Sequence, residues 1–261
     1  MAACSLVLLQ LGVSPDSRAV GRLYVKDALV SPNHEGDIEA LLVRQEPAGE
    51  VSAGGEPLEL ISGGNIIGTE ITAASGVATF HYTPSRKETV RLTVRTAKEA
   101  HVSATAVTTV AAWERRTPML VVEMSALYDP QSREPLPDAA DEMSKLTQFY
   151  YNAMYLADET ATSDAGFRST DRARQWLAAH EFPVGYIVAK PSAQLDWGAK
   201  IDELRAAGWT TIKVGIGRSR DFAETFLQRR LEVVIVPEPA KGSVPKKARI
   251  AKDWKEVRRK L

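Results

Sequence analysis

Apolar positions change their period near the middle of this chain. Up to about residue 112 they recur at every second position, in runs of six to ten residues. A strand with one buried face reads this way. In 89–96 (TVRLTVRT), Val90, Leu92 and Val94 share one face and Thr89, Arg91 and Thr93 the other. The same alternation marks 76–82 (GVATFHY), and 37–44, 57–62, 66–72 and 102–111 are further strand candidates. Gly63-Gly64-Asn65 predicts a tight turn between two of them. Short strands separated by Gly, Pro and Ser, with no helical period between them, predict a β-sandwich.

Beyond the polar stretch 113–118 (WERRTP), short apolar runs alternate with segments of helical spacing. Strands are predicted at 120–124, 153–156, 186–189, 211–216 and 232–236, and helices at 137–149, 169–180, 196–207 and 219–230. Ser169 is the predicted cap of one helix and Gly208 the stop of another. Five strands joined by crossover helices predict a doubly wound parallel sheet that binds ligands beyond its carboxyl ends. The predicted organisation is an apolar N-terminal segment (1–22), a sandwich (23–112), a linker (113–118) and an α/β domain (119–261) ending in a basic amphipathic helix.

Lys+Arg and Asp+Glu each total 33, so no net field draws the whole chain to nucleic acid or an anionic membrane. Cys4 is the single cysteine, which excludes an internal disulfide and favours a reducing, cytoplasmic setting. The alternatives are export as a surface binding module, or a lipid-modified Cys4 if Met1 is not the true start. His34, His81 and His101 do not stand at metal-ligand spacing and read as surface or turn residues.

Leu58-Glu59-Leu60, Gly63-Gly64, Ile67-Gly68-Thr69, Thr72, Gly76, Ala78, Phe80 and Tyr82-Thr83-Pro84 follow one another as in bacterial immunoglobulin-like domains, which this half resembles over about 90 residues. The second half resembles the haloacid dehalogenase-like (HAD-like) superfamily, a Rossmannoid fold. Members place DxDxT after the first strand, a Ser or Thr after the second, a Lys before the fourth and an acidic pair after the fourth. The resemblance implies an aspartate that attacks phosphorus, a second that exchanges a proton with the leaving group, and Mg²⁺ joining carboxylates to phosphate. An immunoglobulin-like domain followed by such a half is also similar in architecture to phosphatidate phosphatases of the lipin and actin-patch types.

In this sequence the motif positions are altered. Glu123 stands for the attacking aspartate, Ser125 for the second and Leu127 for the threonine. The Ser/Thr position falls at Ala157 or Asp158, and Lys200 takes the place of the lysine. In Val214-Gly215-Ile216-Gly217-Arg218-Ser219-Arg220-Asp221, Ile216 replaces one aspartate and Asp221 keeps the other. Glu123 and Asp221 are the candidate Mg²⁺ ligands, with Asp158, Glu159 and Asp164 as a second acidic group. The glycines before Ser219 lie where a helix N-terminus can meet an anion. The bland alternative has Glu123 facing a solvated crevice and Asp221 capping or pairing locally.

The expected function is that of a degenerate, non-catalytic HAD-like protein that needs no cofactor and serves as an interaction or scaffold subunit. A Mg²⁺-dependent phosphoester hydrolase with an altered site is the alternative. A protein partner is expected at the N-terminal segment, the immunoglobulin-like domain or the C-terminal helix. There, Ile250, Trp254, Val257 and Leu261 form a stripe that covers the sheet or a partner, with an acidic protein or phospholipid surface as the sharper alternative. Nucleic acid is not expected, because no aromatic and basic stacking platform is apparent.

Overall fold

The structure is a computed structural model that describes residues 18–157, 164–189, 197–239 and 244–261. A β-rich part and an α/β part make up the chain. The first contains β1 (Ala19–Val25), β2 (Ala28–Val30), β3 (Gly36–Glu46), β4 (Gly49–Ser52), β5 (Pro57–Ser62), β6 (Asn65–Ile71), β7 (Val77–Tyr82), β8 (Glu88–Thr96), β9 (Val102–Ser103) and β10 (Thr105–Ala112). One sheet has the order β4-β3-β1-β9, with β7 also paired to β3, and the other the order β2-β10-β8-β5-β6. Their inner faces meet in a core that includes Ile38, Leu42, Leu58, Leu60, Phe80 and Leu92. Alternation drives this packing: Leu92 and Val94 are wholly buried while Arg91 lies outside. Gly63 and Gly64 both have positive φ (54° and 85°), as a two-residue hairpin turn between Ser62 and Asn65 requires.

The α/β part contains β11 (Met119–Glu123), α1 (Ala139–Phe149), β12 (Asn152–Leu156), α2 (Ala165–Ala179), β13 (Tyr186–Val188), α3 (Trp197–Ala206), β14 (Ile212–Gly217), α4 (Arg220–Gln228), β15 (Glu232–Ile235), β16 (Arg249–Ile250) and α5 (Trp254–Lys260). Its strands form one parallel sheet in the order β13-β12-β11-β14-β15-β16. The sheet is buried on both sides. Leu120 and Val122 face the core built with α1, α2 and α5, and Met119 and Val121 face that built with α3 and α4. Strand order reverses between β11 and β14, the switch point where a doubly wound sheet opens a crevice.

Several expectations are corrected. The sandwich begins at Ala19, inside the expected N-terminal segment, and 102–111 divides into β9 and β10. The sheet has six strands rather than five. Ser169 is a buried residue inside α2, whose N-cap is Asp164. The C-terminal helix starts only at Trp254, and Ile250 belongs to β16. Trp254 and Val257 pack in the core against the sheet, as the sheet-covering form of the expectation has it.

The two parts are joined by more than the linker. Phe167 of α2 packs with Tyr24, Leu41 and Val43 of the sandwich. Arg168 pairs with Glu50 at 2.6 Å, and Arg174 pairs with Asp27 at 2.6 Å.

Candidate functional site

The switch point sets the site. β11 ends at Glu123, and the chain then makes a single 3-10 turn, Met124–Ala126. β14 ends at Gly217, after which Ser219 caps α4 by accepting a hydrogen bond from the Phe222 amide at 3.1 Å. A Cβ built on Gly217 would stand 2.2 Å from the Phe222 ring, so glycine lets α4 start this close to the strand.

Glu123 reaches across the crevice between these strands. Its Oε2 accepts the Arg218 and Ser219 amides at 2.7 and 3.1 Å, and its Oε1 accepts the Ser219 hydroxyl at 2.9 Å. A carboxylate offers about four acceptor sites, so one is left. The helix N-terminus favours an anion, and here the chain supplies its own. Glu123 is half-buried in this crevice with its partners drawn from the chain, and the cap of α4 is Ser219 rather than Asp221.

Arg218 closes the other side, its guanidinium donating to the carbonyls of Tyr128 at 3.0 Å and Ser125 at 3.4 Å. Trp254 Nε1 donates to the Ala126 carbonyl at 3.0 Å, so the turn is held from two directions. The chain then forms a hairpin bridged between Tyr128 and Pro135. Within it, the amides of Ser132 and Gln131 hold the Asp129 carboxyl below its usual range. Beside the turn lies a cavity of about 290 Å³ lined by Met124, Tyr128, Arg133, Arg172 and Trp176 among others.

The remaining candidates are scattered. Ser125 sits in the 3-10 turn, where its carbonyl is the atom Arg218 uses. Leu127 is wholly buried in the core. Asp221 is exposed in the first turn of α4. Lys200 donates to Glu203 at 2.6 Å and lines a different cavity with Lys26, Asp27 and Glu39. Asp164 pairs with Arg168 on α2, and Asp158 and Glu159 lie outside the described residues. Among the described residues, no group of three or more His, Cys, Asp or Glu is placed to hold a metal ion. For the expected Mg²⁺ pair, Glu123 has three of its acceptor positions engaged within the chain, and Asp221 is exposed in the first turn of α4.

Replacing Glu123 with alanine leaves two amides and a hydroxyl without their charged acceptor. A loss of about 2 kcal/mol in urea unfolding is expected. Phosphate or sulfate should raise the melting temperature of the variant more than that of the parent, since either can occupy the vacated position. Glu123→Gln keeps an acceptor at Oε2 and should lose less.

No protein-family model matches the chain, and no curated protein matches it. Solved structures give partial likenesses. A D,D-heptose 1.7-bisphosphate phosphatase from B. bronchiseptica, complexed with magnesium and phosphate, is 14% identical. The match covers 56% of this chain and 98% of that one, with a TM-score of 0.44. The CARDB domain of the PF1109 protein from Pyrococcus furiosus, in complex with di-metal ions, is also 14% identical; 35% of this chain and 86% of that one are covered, with a TM-score of 0.25. The sulfur carrier protein SoxY from Chlorobium limicola f thiosulfatophilum is 10% identical, covering 38% of this chain and 87% of that one, with a TM-score of 0.23.

Proposed function

We propose that the chain is a non-hydrolytic protein that acts by binding, with an immunoglobulin-like sandwich and a HAD-like α/β half serving as an interaction subunit. One observation carries this reading: the Glu123 carboxylate is held by the Arg218 amide, the Ser219 amide and the Ser219 hydroxyl. A nucleophile needs a free oxygen within reach of phosphorus, and three of the about four acceptor positions of Glu123 are taken by its own chain. Ser125, with a hydroxyl in place of a carboxyl, supplies no general acid near neutral pH.

The test is hydrolysis of an aryl phosphate by the full chain with Mg²⁺, beside an Asp221→Ala variant. Equal rates in both, no higher than buffer, are expected. Turnover that requires Mg²⁺ and vanishes in Asp221→Ala would replace this reading with that of an altered-site phosphoester hydrolase.

A further inference from the structure

We propose that the groove between the open side of the sandwich and helix α2 binds an extended acidic segment of a protein partner. This site lies apart from the crevice at Glu123, and the inference goes beyond the function proposed above: it stands whether or not that crevice hydrolyses a phosphoester.

The groove has a volume of about 900 Å³. Residues 21–24 of β1 and 105–107 of β10 lie along it. On the side away from β3, β1 is paired only at Ala19 and Val20, by β9. On the side away from β8, β10 is paired only at Val110, Ala111 and Ala112, by β2. Two lengths of strand edge therefore border the groove without a ladder partner on these sides among the described residues, although β1 and β10 approach one another. Such edges carry amide and carbonyl groups that a second extended chain can use.

Charge selects which chain. Five arginines line the groove, Arg22, Arg91, Arg168, Arg172 and Arg174, against one acidic residue, Asp171. Arg168 and Arg174 are engaged with Glu50, Asp164, Asp27 and Asp171. Arg91 and Arg172 are exposed and form no ion pair among the described residues, and Arg22 has a largely exposed side chain 3.4 Å from Glu50. The four carboxylates offset most of this charge, so the cations left for a partner are Arg91 and Arg172, with the half-engaged Arg22 beside them. Val107, 41% exposed on the same strand edge, offers an apolar contact between charged ones. A partner strand with acidic and apolar residues in alternation would meet both.

Nucleic acid fits less well. Single strands are held by bases stacked on aromatic rings. The one aromatic residue of the lining, Tyr24, is buried, and the Arg168 guanidinium covers its ring at 4.8 Å.

The test uses the full chain and three fluorescent probes: an alternating Glu-Val decapeptide, the matching Lys-Val decapeptide and a ten-residue oligothymidylate. Anisotropy should report binding of the Glu-Val peptide alone, weakening as salt is raised. Arg91→Glu with Arg172→Glu, two exposed substitutions without ion-pair partners, should weaken that binding about tenfold. The control Lys98→Glu with Lys213→Glu changes the same charge outside the groove and should leave it unchanged. Failure of the Glu-Val peptide to bind, equal affinity in the Arg91/Arg172 variant, or preference for the oligonucleotide would each overturn the proposal.

Discussion

Replacing Arg174 with alanine is expected to lower the unfolding free energy by about 3–5 kcal/mol, the scale for stripping one partner from a buried ion pair. The reason lies in what Asp27 receives. Its Oδ1 accepts Arg174 Nη2 at 2.6 Å, Arg174 Nε at 3.2 Å and the Thr109 amide at 3.0 Å; its Oδ2 accepts the Ile187 amide at 3.1 Å. Arg174 also donates to the Val25 carbonyl at 2.8 Å. One carboxylate with no exposed surface thus joins the β1–β2 turn, β10, α2 and β13, which belong to both parts of the molecule.

Burial pushes the Asp27 carboxyl above its usual range, and the Arg174 guanidinium is the largest influence holding it down. A carboxyl raised on folding takes up a proton between its unfolded and folded pKa, so its contribution to stability falls as pH climbs through that window. Without Arg174 the window extends further upward. The deficit of Arg174→Ala relative to the parent should therefore be largest near neutral pH and shrink as Asp27 becomes protonated. Urea unfolding of both proteins at pH 7.5 and pH 5 measures it. A deficit below about 1 kcal/mol, the scale of an exposed pair, or one that does not change with pH, would contradict the account.

Legibility followed the range of the interactions. The period-two run 89–96 and the apolar run at Met119–Glu123 announce strands because neighbours in sequence decide the face each side chain takes. β4 (GEVS) and β16 (two residues) lack that signal, since their pairing is imposed by β3 and β15. Ser169 misleads because a hydroxyl is acceptable both at a cap and inside a helix. Its neighbour Thr170 is satisfied there by the Gly166 carbonyl at 2.8 Å. In the C-terminal stretch, Ile250, Trp254, Val257 and Leu261 fit one helical stripe by spacing, yet Ile250 serves a strand. At the switch point, a carboxylate at the end of β11 was readable in sequence, but its consequence was not. The partners of Glu123 lie 95 and 96 positions away, and only the pairing of β11 with β14 brings them into reach. Arg218 and Ser219, immediately beyond Gly217, were the available signal. Asp27 and Arg174, 147 positions apart, carried no local mark at all.

Trp254→Ala is the second large effect, and it separates two uses of the C-terminal helix. Trp254 is 1% exposed and its indole packs among core residues on the α1, α2 and α5 side of the sheet. Truncating a buried Trp costs about 3–5 kcal/mol, and the lost bond from Nε1 to the Ala126 carbonyl adds about 1 kcal/mol. That carbonyl belongs to the 3-10 turn directly after Glu123, so the helix braces the turn from beneath. Trp254→Phe should retain much of the packing and lose the donor, for a cost of about 1–2 kcal/mol, since the carbonyl is left buried. A helix reserved for a partner predicts the opposite: removing its central aromatic would leave the isolated chain as stable as before. Urea unfolding of the two variants decides between these uses. A loss below about 1 kcal/mol in Trp254→Ala, within the range of an ordinary surface substitution, would return the stripe to the list of docking surfaces. The expected large loss, with Trp254→Phe between it and the parent, makes α5 part of the architecture that keeps Glu123 facing α4.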